Sequence, residues 1–395
     1  MRSIQSKPNF QRRTLLLGMV GSVVQLTGCG GGGGADVAGL SSGGTGSFTS
    51  GTISGLGSII VNGIRYNDDN ATLISRDDGS SFGTTLKVGM VVSIQGSPVI
   101  AATTTNGTAT ATAYRISCGS EWEGPVANIT ATSFDILGLT VDVLAATVFE
   151  GATTQLSGLT TSHFVEVHGY VDQTTGRLQA SRVEVSSTAP TEYKLSDVVN
   201  SFDAGNQTFN LGAVSIRWNN NTSIPTSWAD GVFVRVKMAA ATPLVATQIR
   251  LLTSPLTQLG TSDDHDAEIH GFISAYQSDA NFTVNGIPVD ASAAVISGGT
   301  LAVGRRVEIH GSITNGILIA TKLETPSDAS LHEFEFHGTV SALDTNAMTF
   351  ALHGLTFKYD PSTSIQATLV NGARIEIKAT RTSGAWLATE IRGDD

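Results

Sequence analysis

One β pattern recurs five times along this chain, at a spacing of about 65–70 residues, and a repeat of that size dictates a string of small, similar units. Each copy opens with Gly-x-Val/Ile and a short apolar strand ending in Gly. An alternating strand follows, then a run of the type Val-Gly-x-x-Val-Glu-Val-x-Gly, then Leu-x-Ala-x-x-Val. The fourth copy is the most complete: Gly271-Phe-Ile273, Val284-Asn-Gly286, Val303-Gly-Arg-Arg-Val-Glu-Ile-His-Gly311 and Leu318-Ile-Ala-Thr-Lys-Leu323. The first keeps Gly51-Thr-Ile53 and Val61-Asn-Gly63, the second Gly124-Pro-Val126 and Leu137-Gly138, and the fifth Gly338-Thr-Val340 and Leu352-His-Gly354. The third is eroded, with Asp197 in place of the opening glycine, but it keeps Leu211-Gly212.

Within each copy the apolar period is two. Val307 and Ile309 alternate with Glu308 and His310, so one strand face is apolar and the other polar. Thr- and Val-rich runs broken by Gly, Asn and Asp read as short antiparallel strands, and no segment carries a sustained helical period. About five strands per copy suggests a small closed barrel, because closure removes exposed edges. A unit this small is marginal alone, so neighbouring copies are expected to pack together.

These motifs resemble the bacterial domain of unknown function 5666, over nearly all of residues 51–395. The resemblance implies an all-β chain of tandem OB-like barrels and no assigned activity. The expected units are residues 51–118, 119–187, 191–254 (divergent), 264–328 and 329–395.

Ahead of the repeats lies a segment of different composition. Arg2, Lys7, Arg12 and Arg13 precede an apolar stretch from Thr14 to Leu26, shorter than the ~20 residues that span a bilayer. This is a signal-peptide pattern over residues 1–28 and is excluded from the fold. It ends in Leu26-Thr27-Gly28-Cys29, which resembles a bacterial lipobox. That resemblance implies cleavage between Gly28 and Cys29, with the Cys29 thiol carrying the lipid. Arg12-Arg13 followed by two leucines partly resembles a twin-arginine signal, so twin-arginine and general export both stand. Residues 29–50 are Gly- and Ser-rich and read as a flexible tether. The expected location is the cell envelope, lipid-anchored at the outer membrane, on its periplasmic or outer face.

Charge narrows the partners. Removing the signal leaves 19 basic against 34 acidic residues, which argues against nucleic acid, because phosphate binding needs Lys/Arg clusters. With Cys29 acylated, Cys118 is the other cysteine of the chain and reads as a small buried hydrophobe. Trp122, Trp218, Trp228 and Trp386 read as barrel packing ahead of sugar-stacking platforms.

No Gly-x-Ser-x-Gly, His-Glu-x-x-His or phosphate-loop motif is present in the sequence, so no catalytic residue and no cofactor is expected. Glu-x-His-Gly does occur four times, at Glu166/His168, Glu268/His270, Glu308/His310 and Glu335/His337. Positions i and i+2 of a strand share a face. In an OB-like unit the first and fourth strands are neighbours, so Glu268, His270, Glu308 and His310 would meet. Two histidines and two carboxylates suit Zn²⁺ or a similar ion; Asp263-Asp-His-Asp266 just upstream would add ligands. The simpler reading makes these positions the solvated polar face of a strand. Three functional classes follow in order: a non-enzymatic binding or scaffold module for an envelope protein or glycan, a metal-binding envelope protein, and last an enzyme.

Overall fold

A computed structural model describes residues 46–394 apart from 78, 82, 84, 104–106, 174, 261–264 and 326–332. The export segment, Gly28, Cys29, most of the tether, Asp263 and Asp264 lie outside the described residues. Among the described residues no helix is long and apolar enough to cross a membrane.

The fourth unit displays the fold most plainly. It contains β17 (His265–Ser278), β18 (Asn281–Val284), β19 (Ile287–Asp290), the short β20 (Val295–Ser297), β21 (Arg306–Thr314) and β22 (Ile317–Glu324). β17 pairs antiparallel with β18, β18 with β19, β21 with β17 and β22 with β21, and β19 runs parallel to β22. The main-strand order 1-2-3-5-4-1 closes a five-stranded OB barrel. Its interior is the alternate set from each strand, including Ile269, Ile273, Val284, Val289, Val307, Ile309 and Leu318, all buried.

The same order recurs in β1–β6 (47–118), in β7–β11 (122–186) and in β23–β29 (334–393). In the third unit, β12–β16 (192–251), the parallel closure shrinks to bridges at Arg217–Val245 and Ser223–Gln248. The chain is thus all-β, with small OB barrels in tandem.

The hairpin between the second and third strands of a barrel, β18 and β19 in the fourth unit, explains the recurring glycines. Asn285 sits at the turn with φ 52° and folds its amide back over the first strand, donating to the His270 carbonyl at 3.1 Å. A Cβ on Gly271 would lie 2.0 Å from that amide, so the strand position must be Gly. The third unit inverts the pair. Leu211 pairs with Val214, so Gly212 and Ala213 form the turn and Gly212, with φ 54°, takes Asn285's place rather than that of Gly286. With no side chain folded back there, the strand accommodates Asp197 in place of Gly.

The barrels are joined through strands, not only through side chains. β1 (Ser47–Leu56) pairs in parallel with β17, Thr49 opposite Glu268, and further along with β23 (Phe334–Thr339), Gly55 opposite Glu335. The first barrel therefore abuts the fourth and fifth, which are remote in sequence. A Cβ on Gly55 would lie 1.8 Å from the Glu335 carbonyl oxygen. β1 begins at Ser47, inside the span assigned to the tether, because Phe48 is fully buried in the fourth barrel's core. The second and third barrels share one core, and the Trp122 indole donates to the Ser196 carbonyl at 2.8 Å.

One helical turn, α1 (Pro255–Leu259), has no counterpart in the β repeat. Ser254 caps its start, Gly260 ends it with φ 64°, and Leu256 and Leu259 are buried. Arg115 of the first barrel donates to the Leu259 carbonyl at 2.6 Å, so the link between the third and fourth barrels is docked on the first.

Candidate functional site at the Glu–His strand faces

β17 and β21 are set in a register that opposes Glu268 to His310 and His270 to Glu308, around the buried pair Ile269 and Ile309. The four residues proposed from the sequence are therefore brought onto one face. His270 Nε2 lies 3.0 Å from Glu268 Oε1 and 3.3 Å from Glu308 Oε1, and His310 Nε2 lies 3.3 Å from the same Glu308 oxygen. Burial opposes the charged form of His270, but the carboxylates of Glu268 and Glu308 outweigh it and raise the imidazole pKa to about 9. The two imidazoles hold Glu308 well below the usual carboxylate range.

The Glu268 end of this face is not solvated. Glu268 is 3% exposed, because β1 runs alongside it, with Thr49 opposite and the Thr49 hydroxyl 2.6 Å from that of Tyr66. Glu268 Oε2 and His270 Nε2 are buried without a hydrogen-bond partner. The contacts of Nε2 to the carboxylates lie off its N–H direction.

The pair Glu335 and His337 faces Lys378 and Glu376 across β23 and β28 (Arg374–Thr382). Here every group is engaged. His337 bonds Glu335 at 2.7 Å and Asp394 at 2.9 Å. Asp394 also pairs with Arg65 and Arg374, Thr108 donates to Glu335, and Arg392 pairs with Glu376. Arg65 and Thr108 belong to the first barrel, so this network fastens the first barrel to the fifth. Burial lowers the His337 pKa, but Glu335 and Asp394 prevail and raise it.

Glu166 and His168 do not form a pair. His168, 3% exposed on β10 (Phe164–Asp172), has both ring nitrogens unpartnered, and burial drives its pKa down to about 4. It stands opposite Arg182, which is itself 2% exposed at its side chain and donates to the Val88 carbonyl of the first barrel and to Glu184. The reading of all four Glu-x-His faces as solvated is thus overturned at Glu268, His168 and His337, each at most 4% exposed. Packing between barrels covers the faces that an isolated barrel would show to water.

A further polar junction left no motif. Arg235, on β15 (Phe233–Ala239), reaches Asp77, Glu121 and Ser196 at 2.8, 2.8 and 3.0 Å, while Arg76 pairs with Glu121 and Lys194 with Asp77. Desolvation would raise the Glu121 pKa, but Arg76 and Arg235 lower it. These residues come from the first, second and third units and carry no common spacing, so sequence periodicity could not group them.

Cys118 is buried with its thiol pushed up to about 11 by desolvation. Trp386 packs on Phe334 and Phe336, and Trp218 and Trp228 pack on Phe202 and Phe209, in line with their reading as packing residues.

Fold and junctions together define a tandem OB-barrel protein whose barrels are fastened edge to edge through strand pairing and buried polar networks. The chain belongs to the family described as Domain of unknown function (DUF5666), which matches residues 48–112, 123–184, 270–324 and 337–392. The third barrel lies outside those matches. Among solved structures, the chain titled "drosophila Unr CSD456" is similar at 13% identity and a TM-score of 0.14, over 52% of this chain and 98% of its own length. No curated protein matches the sequence.

Proposed function

We propose that this is a lipid-anchored, non-enzymatic protein of the bacterial cell envelope that presents its barrels as a rigid binding or scaffold surface for an envelope protein or glycan. The observation that supports the reading is the double pairing of β1, with β17 and with β23. It makes the first barrel a hub, which suits displaying several surfaces in fixed relation rather than as beads on a flexible string. The anchor rests on Cys29 and its flanks. A single acyl chain holds a protein only marginally, whereas two or three hold it stably.

Two measurements test the proposal. Globomycin treatment is expected to accumulate precursor, and Cys29→Ser is expected to move the protein out of the membrane fraction; an unchanged fractionation refutes the anchor. Crosslinking in intact cells, followed by partner identification, is expected to yield one specific envelope protein or glycan. Turnover of a substrate by the purified protein refutes the non-enzymatic reading.

A further inference from the structure

We infer that the β17–β21 face is a binding site for one divalent first-row transition ion of the Zn²⁺ class, held by Glu268, His270 and Glu308, with His310 orienting Glu308. The ligand atoms of the three residues all lie within 4.8 Å of one another. Tetrahedral Zn²⁺ with bonds of about 2.0–2.2 Å places neighbouring ligand atoms about 3.3–3.6 Å apart. The separations from His270 Nε2, 3.0 and 3.3 Å, are close to that spacing.

A hydrogen-bonded cluster would account for the distances but not for the directions. His270 Nε2 lies between two carboxylate oxygens and donates to neither, and Glu268 Oε2, on a side chain 3% exposed, has no partner. Buried polar atoms in native proteins are nearly always satisfied, and a carboxylate oxygen left bare costs free energy. A cation between these atoms supplies the missing partner to both at once.

The second Glu–His cluster is the internal control. Glu335, His337 and Glu376 converge as tightly, yet each already has a protein partner: Thr108 donates to Glu335, Asp394 and Arg65 contact His337, and Arg392 pairs with Glu376. Around the first cluster, among the described residues, the ion-pair partners of Glu268 and Glu308 are imidazoles. Mixed nitrogen and oxygen donors select a borderline ion over Ca²⁺ or Mg²⁺.

Second-sphere support is present. His310 Nε2 bonds Glu308 Oε1, the kind of outer contact that orients a ligating carboxylate. Barrel one closes the Glu268 side, while the His270, His310 and Glu308 side chains keep 18, 16 and 28% exposure, so the cluster borders solvent on the other.

The test uses the full chain, purified in detergent without a histidine tag, stripped with chelator and titrated with Zn²⁺. One equivalent is expected to stay bound through gel filtration. Binding is expected to weaken at least tenfold in Glu308→Gln and in His270→Gln, with circular dichroism unchanged, and to be unaffected in His163→Ala. Should those variants misfold, Co²⁺ titration of the unaltered chain decides the matter through the visible ligand-field bands of a four-coordinate site, bleached by Zn²⁺. Absence of stoichiometric Zn²⁺ and of Co²⁺ bands overturns the inference, as does binding that survives both substitutions or is lost in His163→Ala.

Discussion

Lowering the pH from neutrality should destabilise the second barrel through one side chain, His168. Its imidazole is 3% exposed, bonded at neither nitrogen, and held neutral down to about pH 4. Burial is the main cause. Glu166 and Glu184 pull the pKa up, Arg182 and Lys194 push it back down. In the unfolded chain the same ring titrates near 6.5. Between those values the unfolded state carries the extra proton, so stability falls as pH falls. The gap converts, at about 1.36 kcal/mol per pH unit, to about 3 kcal/mol at pH 4. Urea unfolding followed by the fluorescence of buried Trp122 should be compared for wild type and His168→Leu from pH 7.5 to 4.5. Leu removes the titration while keeping the site apolar, and the carboxylates that also titrate in acid cancel in the difference. Wild type is expected to lose about 2–3 kcal/mol more than the variant over that range. Parallel pH profiles would falsify the assignment of a buried, neutral His168.

In metal-free protein His270 has the opposite sign: with its pKa raised to about 9, its contribution is complete below pH 6.5 and is lost as pH rises through 9, and thermal melts of His270→Gln should lack this alkaline loss. Arg235→Met leaves Glu121, 3% exposed, short of one cation, and chemical denaturation should register a cost of about 3–5 kcal/mol; a cost below about 1 kcal/mol sinks the view that this junction is buried and coupled. Gly271→Ala is expected to lower stability by about 1–3 kcal/mol by displacing Asn285, and adding Asn285→Gly should recover most of that loss, reproducing the Asp197/Gly212 arrangement of the third barrel. If the double variant melts no higher than the single one, the clash with Asn285 is not the reason for the glycine.

The parts legible in the sequence are those written in local period. The alternation of Val307 and Ile309 with Glu308 and His310 marks a half-buried strand, and Asn285-Gly286 marks a hairpin. Five repetitions of these signals carry the barrel, and the shared face of Glu268, His270, Glu308 and His310 follows from period two plus the adjacency of strands one and four. What lies between barrels was illegible. Thr49 beside Glu268 and Gly55 beside Glu335 depend on packing of units more than 200 residues apart, for which no local pattern exists. That is why polar faces read as solvated are in fact covered. The helical turn at Pro255–Leu259 was illegible too, because a single turn has too few residues for its period to register.

The double pairing of β1 also sets a schedule for folding. Ser47 has its partner at Asp266, and Gly55 at Glu335, so the earliest strand of the described chain completes its hydrogen-bonding only after most of the polypeptide has been made. Contacts of such long sequence separation are slow to form. Until they form, one edge of β1 is an unpaired strand edge, the kind of surface that recruits other chains. The arrangement that gives the native body its hub therefore assigns its aggregation hazard to the interval before the fourth and fifth barrels arrive. A chain truncated after the third barrel should be more prone to self-association than the whole.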